Sequence, residues 1–290
     1  MKVLILHSTR AGSRRFSKAE LKRVFKQADH DVRYRSIHKP HWKRRLHKAD
    51  VVVAVGGDGT VARVAIALSR LGRKTPPLGV IPAGRANNIA RALGAWPSAS
   101  RLAAALEHAA HARLAIGLVR SPWGKARFVE SAGIGPLAAL LRTDVPTLQG
   151  AVRFMRDAFR DGRALEVGVR AGKRRLDGRY VMVHVMNIEA VGPRLALAPG
   201  ADPGDARLDL VLLGEAQRAA FNRYLAKVAV GKRARCPLVS VRAREVEITP
   251  WPSGDGGHVD DKLWPARKRP QRGTVRIQVE TSIPVLVPRG

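Results

Sequence analysis

The stretch 51-VVVAVGGDGTVARVAIALSRL-71 decides the fold of the first half of the chain. Residues 51–55 are a fully apolar, β-branched run that suits a strand buried on both faces, and they stop at Gly56-Gly57. Residues 60–71 carry apolar side chains at helical spacing. A buried strand turning through glycines straight into a helix is the repeating unit of an α/β sheet. The glycines let the backbone turn tightly and approach a ligand with no Cβ in the way. The helix that follows directs its N–H groups and positive dipole end at the same place. Gly56, Gly57, Gly59 and Thr60 are therefore candidates for holding di- or triphosphate oxygens. Asp58 adds a carboxylate where Mg2+ would bridge such phosphates. The competing reading is a plain strand–helix turn with Asp58 or Thr60 as a cap. The sequence G-x-x-x-x-G-K-[ST] does not occur, so the loop is not of the Walker type.

Outward from this stretch the alternation continues. Residues 2–6, 32–37 and 78–81 read as strands, and 18–28, 87–93 and 98–109 as helices. The order strand–helix–strand predicts a parallel, doubly wound sheet over the first ~120 residues. In 78-LGVIPAGRANNIARALG-94 a second strand stops at a Gly-containing turn before a helix. Two such turns at one sheet edge would frame a single crevice. Gly84 and Asn87 belong to that second turn, where Asn87 is suited either to a nucleotide or to capping the helix.

The pattern changes near Ser121-Pro122. From about Phe128 short β-prone runs dominate, at 165–170, 179–187, 207–213, 238–242, 245–249 and 274–280, with helical signal at 147–160 and 215–230. Consecutive strands separated by turn residues predict a β-rich, sandwich-like second domain. The expected division is 1–121 for the α/β nucleotide-binding domain and 122–270 for the β-rich domain. The last strands, 271–290, are candidates to return to the first domain, and 265–272 reads as a basic, proline-broken linker. Late in the chain, 258-HVDDKLW-264 gathers two carboxylates between His258 and Lys262. Such a cluster suits a general base, although a surface turn explains the spacing equally simply.

Composition bounds the partners. The chain has 290 residues, 53 Lys+Arg against 23 Asp+Glu, and a formal net charge of +30. Its 45% hydrophobic content is that of a globular protein and excludes a disordered one. The charge would attract nucleic acid, anionic lipid or nucleotide phosphates, or else simply solvate the surface. Nothing beyond charge points to a specific nucleic-acid partner. The single cysteine, Cys236, excludes an intramolecular disulfide and any Cys-cluster metal site, and favours a reducing interior. No run approaches the ~18 apolar residues of a membrane span, and the N-terminus lacks a signal-peptide core. A cytoplasmic protein, peripheral at most to the inner face of a membrane, is the expectation. Oligomeric state has no signature.

GGDGT followed by PLGVIPAGRANNIARALG resembles the diacylglycerol kinase catalytic-domain family, which includes sphingosine, ceramide and bacterial lipid kinases. Pro82, Gly84, Asn87, Ala90, Arg91 and Leu93 fit its second motif. Residues 7–12, 128–135, 198–213 and 258–260 fall in order on its remaining motifs, so the resemblance runs through nearly the whole chain. GGDGT alone is shared with NAD kinases and phosphofructokinases. The resemblance implies a nucleotide-binding α/β domain, a β-rich domain closing the cleft, ATP and Mg2+ as cofactors, and phosphoryl transfer to a lipid hydroxyl.

Carried over residue by residue, Gly57, Asp58, Gly59 and Thr60 would hold nucleotide phosphates and metal, and Ser8 and Thr9 would line the nucleotide site. Gly84 and Asn87 would complete its wall, Asp205 would match a metal-binding turn, and Asp260 would take the proton from the acceptor hydroxyl. The chain departs from the pattern at Ala62-Arg63, at Arg85, at Asn88, and at Asp260-Asp261-Lys262, where the family has Asp-Gly-Glu. The lost glutamate leaves a weak or inactive nucleotide- or lipid-binding member as an alternative. GGDGT with Asn187-x-Glu189 leaves an NAD-kinase-like enzyme as another.

Overall fold

The computed structural model describes all residues except 11, 13–15, 144, 146, 253–255, 266–272 and 290. The expected linker at 265–272 thus lies outside the described residues apart from Pro265. The chain divides into two compact units, Met1–Ile116 with Pro203–Asp205 and Thr281–Gly290, and Gly117–Asp202 with Ala206–Glu280.

In the first unit β1 (Lys2–His7), β2 (Asp31–Ser36), β3 (Val51–Gly56) and β4 (Leu78–Pro82) pair in parallel in the order β2-β1-β3-β4. Helices α1 (Lys18–Gln27), α2 (Asp58–Leu68), α3 (Asn88–Ala92) and α4 (Ala99–Ala105) make the crossovers. The predicted doubly wound parallel sheet is present. All six residues of β3 are buried, as its apolar run requires. α1 starts with a capping box: the Ser17 hydroxyl accepts the Glu20 N–H, and the Glu20 carboxylate accepts the Ser17 N–H. Its buried face, Leu21 and Phe25, joins Val3, Ile5, Val53, Leu102 and Leu286 in one core.

The α4 region differs from the sequence expectation. The helix ends at Ala105, and Ala110–Ser121 is a long strand, β5. Alanine-rich sequence favours helix locally, but Leu114, Ala115 and Ile116 are buried and strand pairing overrides the propensity.

The second unit is antiparallel throughout. β5 ends in a hairpin with β6 (Gly124–Phe128). β7 (Ser131–Ile134) is followed by α5 (Leu148–Asp161), β8 (Leu165–Ala171), β9 (Gly178–Met186), β10 (Leu208–Gly214), α6 (Arg218–Ala229), β11 (Ser240–Ala243), β12 (Glu245–Trp251), β13 (Gly257–Val259) and β14 (Gly273–Val287). One run pairs in the order β13-β7-β9-β10-β11, the other in the order β8-β12-β14. Val183, Val185, Leu208, Leu210, Ile248 and Trp251 share the core between strands. Met182, Val211 and Leu213 instead face a second core with Phe159 and Phe221, whose rings meet edge to face at 5.0 Å. Strands buried on both faces explain why β9 and β10 read as near-continuous apolar runs. This is the predicted β-rich, sandwich-like domain.

Candidate functional site

Parallel register puts three loops side by side in the first unit. His7 pairs with Val55 and Gly56 with Pro82, so β1, β3 and β4 end at the same level. The Ser8 N–H donates to the Val55 carbonyl and the Ala83 N–H to the Gly56 carbonyl, each at 2.9 Å. Beyond these bonds the loops converge on their glycines. A Cβ on Gly84 would stand 2.4 Å from the Gly57 Cα, and one on Gly12 would stand 2.0 Å from the Ala83 carbonyl oxygen. Gly12, at φ +54°, is a contributor that sequence reading did not single out.

The start of α2 has no side-chain cap: its N-cap is Gly57, and the Gly57 carbonyl accepts the Thr60 and Val61 N–H groups. Gly57, Asp58 and Gly59 are half-buried and Thr60 is buried. Asp58 does not cap its own helix from the N-cap position. Its Oδ1 accepts the Ile89 N–H at 2.9 Å, tying the first turn to the start of α3. Burial raises the Asp58 pKa, and backbone N–H groups led by that of Ile89 oppose the rise.

Asn87 does not take the capping role. At φ +55°, its Oδ1 accepts the Gly84 N–H and its Nδ2 donates to the Gly84 carbonyl, both at 2.8 Å. The side chain locks the turn that carries Gly84 and makes no cap bond to α3.

Ser8 is buried and its hydroxyl meets His38 Nε2 at 3.0 Å, while Thr9 is exposed. His7, also buried, hydrogen-bonds Tyr34 through Nδ1 at 2.9 Å. The His38 pKa is lowered by loss of hydration and by the Arg10 and Arg63 guanidiniums, so His38 is neutral at pH 7. Arg63 lies over the Trp42 ring at 5.9 Å and beside a groove of about 780 Å³ lined by His38, Trp42 and Lys43. Sequence reading missed His38, Tyr34 and Trp42, because only the fold brings residues 34–42 beside β1.

Asp205 is half-buried in the segment Pro203–Asp205 of the first unit, whose Pro203 carbonyl accepts the Ala115 N–H at 2.7 Å. Among the described residues no group of three or more His, Cys, Asp or Glu gathers to hold a metal. Asp58 and Asp205, the expected ligands, belong to no such group.

Asp260 belongs to the second unit, in the turn after β13, at φ +48°. Its Oδ1 accepts the N–H groups of Val129, Glu130 and Ser131 at 3.1, 2.8 and 3.2 Å, and its Oδ2 accepts that of Val129 at 2.9 Å. Burial pushes its pKa up to about 7 in spite of those donors. Its carbonyl accepts a bond from His258 Nδ1 at 2.9 Å. That fixes the His258 tautomer with the proton on Nδ1, so His184 must donate from Nε2 to His258 Nε2 across 3.0 Å. Burial lowers the His258 pKa to about 4 and that of His184 well below its usual value. His184 Nδ1 has no hydrogen-bond partner among the described residues.

Both units resemble known proteins. A family model described as the diacylglycerol kinase catalytic domain matches residues 2–119, and one described as the YegS C-terminal NAD kinase beta sandwich-like domain matches residues 131–277. The chain is 30% identical over 213 residues to a diacylglycerol kinase of Bacillus subtilis (strain 168), covering 70% of this chain and 68% of that protein. A solved structure described as a diacylglycerol kinase from Bacillus anthracis strain Sterne superposes with a TM-score of 0.68 at 17% identity, over 99% of this chain and 96% of that one. Another from the same organism reaches 0.73 at 18% identity, over 99% and 95%. At such identities the structures speak for the fold alone.

Proposed function

The chain belongs to the diacylglycerol kinase family, and on that footing we propose that it transfers the γ-phosphoryl group of ATP to the hydroxyl of a diacylglycerol-type lipid. The observation that carries this reading is the contact of the Gly57 and Gly84 turns beside an uncapped helix start. Glycine backbone that a ligand can approach closely, next to a helix N-terminus, suits phosphate oxygens.

The residues present fit a nucleoside triphosphate better than a resident metal. Gly57, Gly59, Thr60 and Gly84 would hold the phosphates, with Ser8, Thr9 and neutral His38 offering polar contacts and Arg63 positive charge. Mg2+ fits as a passenger of the nucleotide, because it binds commonly through phosphates, waters and one or two carboxylates. Bound Mg·ATP supplies the phosphoryl group and neutralises its oxygens. Asp58 would keep the two turns in step and would offer its carboxylate to that metal. Asp260 would take the proton of the acceptor hydroxyl, a role suited to a carboxylate that titrates near 7.

One observation favours a second reading, a nucleotide- or lipid-binding member of low turnover. Both Asp260 oxygens already accept backbone N–H groups, and exposed Lys262 stands where the sequence pattern has an acid. Transfer of label from γ-labelled ATP to a panel of diacylglycerols, sphingosine and ceramide decides between them. Labelled lipid from the unmodified chain, lost in Asp58→Asn, supports the kinase. A Mg·ATP-induced thermal shift without any labelled lipid supports the binder, and more so if Lys262→Glu leaves transfer absent.

A further inference from the structure

The second unit carries a surface that the phosphoryl-transfer chemistry does not use. Of the described residues, only Val230 and Val239 are large hydrophobics more than half exposed, at 64% and 81%. They bracket 230-VGKRARCPLV-239, which leaves the end of α6 without regular secondary structure after Gly231. From Arg233 to Val239 burial alternates residue by residue. Ala234, Cys236 and Leu238 pack into the core with Phe221 and Leu225, while Arg233, Arg235, Pro237 and Val239 face solvent. Alternation of this kind is that of an extended chain with one face anchored. The exposed face is therefore fixed in place by its own core contacts.

The chemistry of that face is one-sided. Between Glu215 and Glu245 there is no Asp or Glu, and there are eight Lys and Arg. Lys232, Arg233 and Arg235 form no ion pair among the described residues. A shallow groove of about 430 Å³ runs beside Arg235, Pro237 and Val239, bordered by Pro199.

We propose that the face formed by Val230, Lys232, Arg233, Arg235 and Val239 docks the chain on an anionic lipid bilayer. Basic side chains meet the negative surface, and the two valines enter the interface, where exposed aliphatic carbon leaves water. The valines decide against nucleic acid as the occupant. Phosphates reward the cations alone, whereas a bilayer rewards both kinds of side chain at once. A docking face also suits a substrate that resides in a membrane. In that respect the proposal rests on the lipid-kinase reading, although binding is measured without turnover.

The test is co-sedimentation of the full chain with vesicles of phosphatidylcholine alone and with added phosphatidylglycerol. The unmodified chain should sediment with the anionic vesicles and stay in solution with the neutral ones. Arg233→Glu with Arg235→Glu should weaken anionic-vesicle binding more than about ten-fold. Val230→Ser with Val239→Ser, which leaves the charge untouched, should weaken it measurably as well. Lys173→Glu with Arg174→Glu, an equal reversal on an exposed hairpin of the same unit, should change it less than about two-fold.

Equal loss in the hairpin control would overturn the proposal in favour of diffuse attraction. Indifference to the valine changes, together with full competition by duplex DNA, would overturn it in favour of a nucleic-acid surface. Sedimentation that depends on the loop in a chain that phosphorylates no lipid would leave the docking face standing and remove the kinase reading. Turnover on detergent-dispersed lipid by a chain that ignores vesicles would do the reverse.

Discussion

Gly57 and Gly84 touch through their backbones: a Cβ added to Gly84 would meet the Gly57 Cα at 2.4 Å, and one added to Gly57 would meet the Gly84 Cα at 3.1 Å. The ends of β3 and β4 are thus closer than any side chain permits.

Gly84→Ala should part the two turns. Because the clash is with backbone, it cannot be relieved by a rotamer change. A stability loss of about 1–3 kcal/mol is expected, the range of overpacking. The Mg·ATP-induced shift in melting temperature should vanish with it. Gly57→Ala, with the looser contact, should lose less, and a reversed order in thermal melts would contradict the geometry.

Asn87→Ala should cost about 2 kcal/mol, since it removes two hydrogen bonds to Gly84 and puts a residue without asparagine's tolerance for it in the left-handed region. Asn87→Asp keeps the acceptor for the Gly84 N–H but faces a second oxygen toward the Gly84 carbonyl. Urea denaturation should place both variants below the unmodified chain, with nucleotide affinity falling in parallel.

Asp58→Asn and Asp58→Ala separate structure from chemistry. The asparagine retains an acceptor for the Ile89 N–H, so its melting temperature should remain close to the original while phosphoryl transfer falls about 100-fold or more. Asp58→Ala should also lose about 1–2 kcal/mol, because a backbone donor at the start of α3 is left without a partner. Transfer assays alongside melts distinguish the two losses.

The buried His184–His258 pair sets an acid limit. The His258 pKa is held down at about 4. Between that value and 6.5 the unfolded chain binds the proton and the folded one does not, so this contribution is lost as pH falls through the window. The stability difference between the unmodified chain and His258→Gln should shrink by about 3 kcal/mol from pH 7 to pH 4. Asp260 works with the opposite sign, because its raised pKa makes the folded state the better proton binder between about 4 and 7. The variant comparison cancels that term. A difference independent of pH would mean that the imidazole takes up its proton at the same pH folded and unfolded.

Much of the architecture is legible in the sequence, because burial on two faces leaves a plain trace. The run at 51–55 contains no polar side chain, so an interior strand fits it. What escapes is whatever depends on a partner distant along the chain. The helix read over 98–109 stops at Ala105, because the strand that begins at Ala110 is set by pairing the local sequence does not show. His38 has no motif, and only β2 lying beside β1 brings it to Ser8. The residue types of both glycine turns are visible in sequence, but the partners of Asp58 and Asn87 are not. A carboxylate or amide after a strand has several donors within reach, and the winner is chosen in three dimensions.

The last segment of β14 has a consequence for how the protein is made. Val285 pairs with Leu78, Leu286 is part of the first unit's core, and the Trp96 indole donates to the Leu286 carbonyl at 3.2 Å. The first unit's sheet therefore waits for residues that are made about 200 positions after β4. Until those arrive, β4 has an unpaired edge and the nascent sheet lies open to chaperones, proteases and other chains. A truncation before Thr281 would leave that edge open permanently.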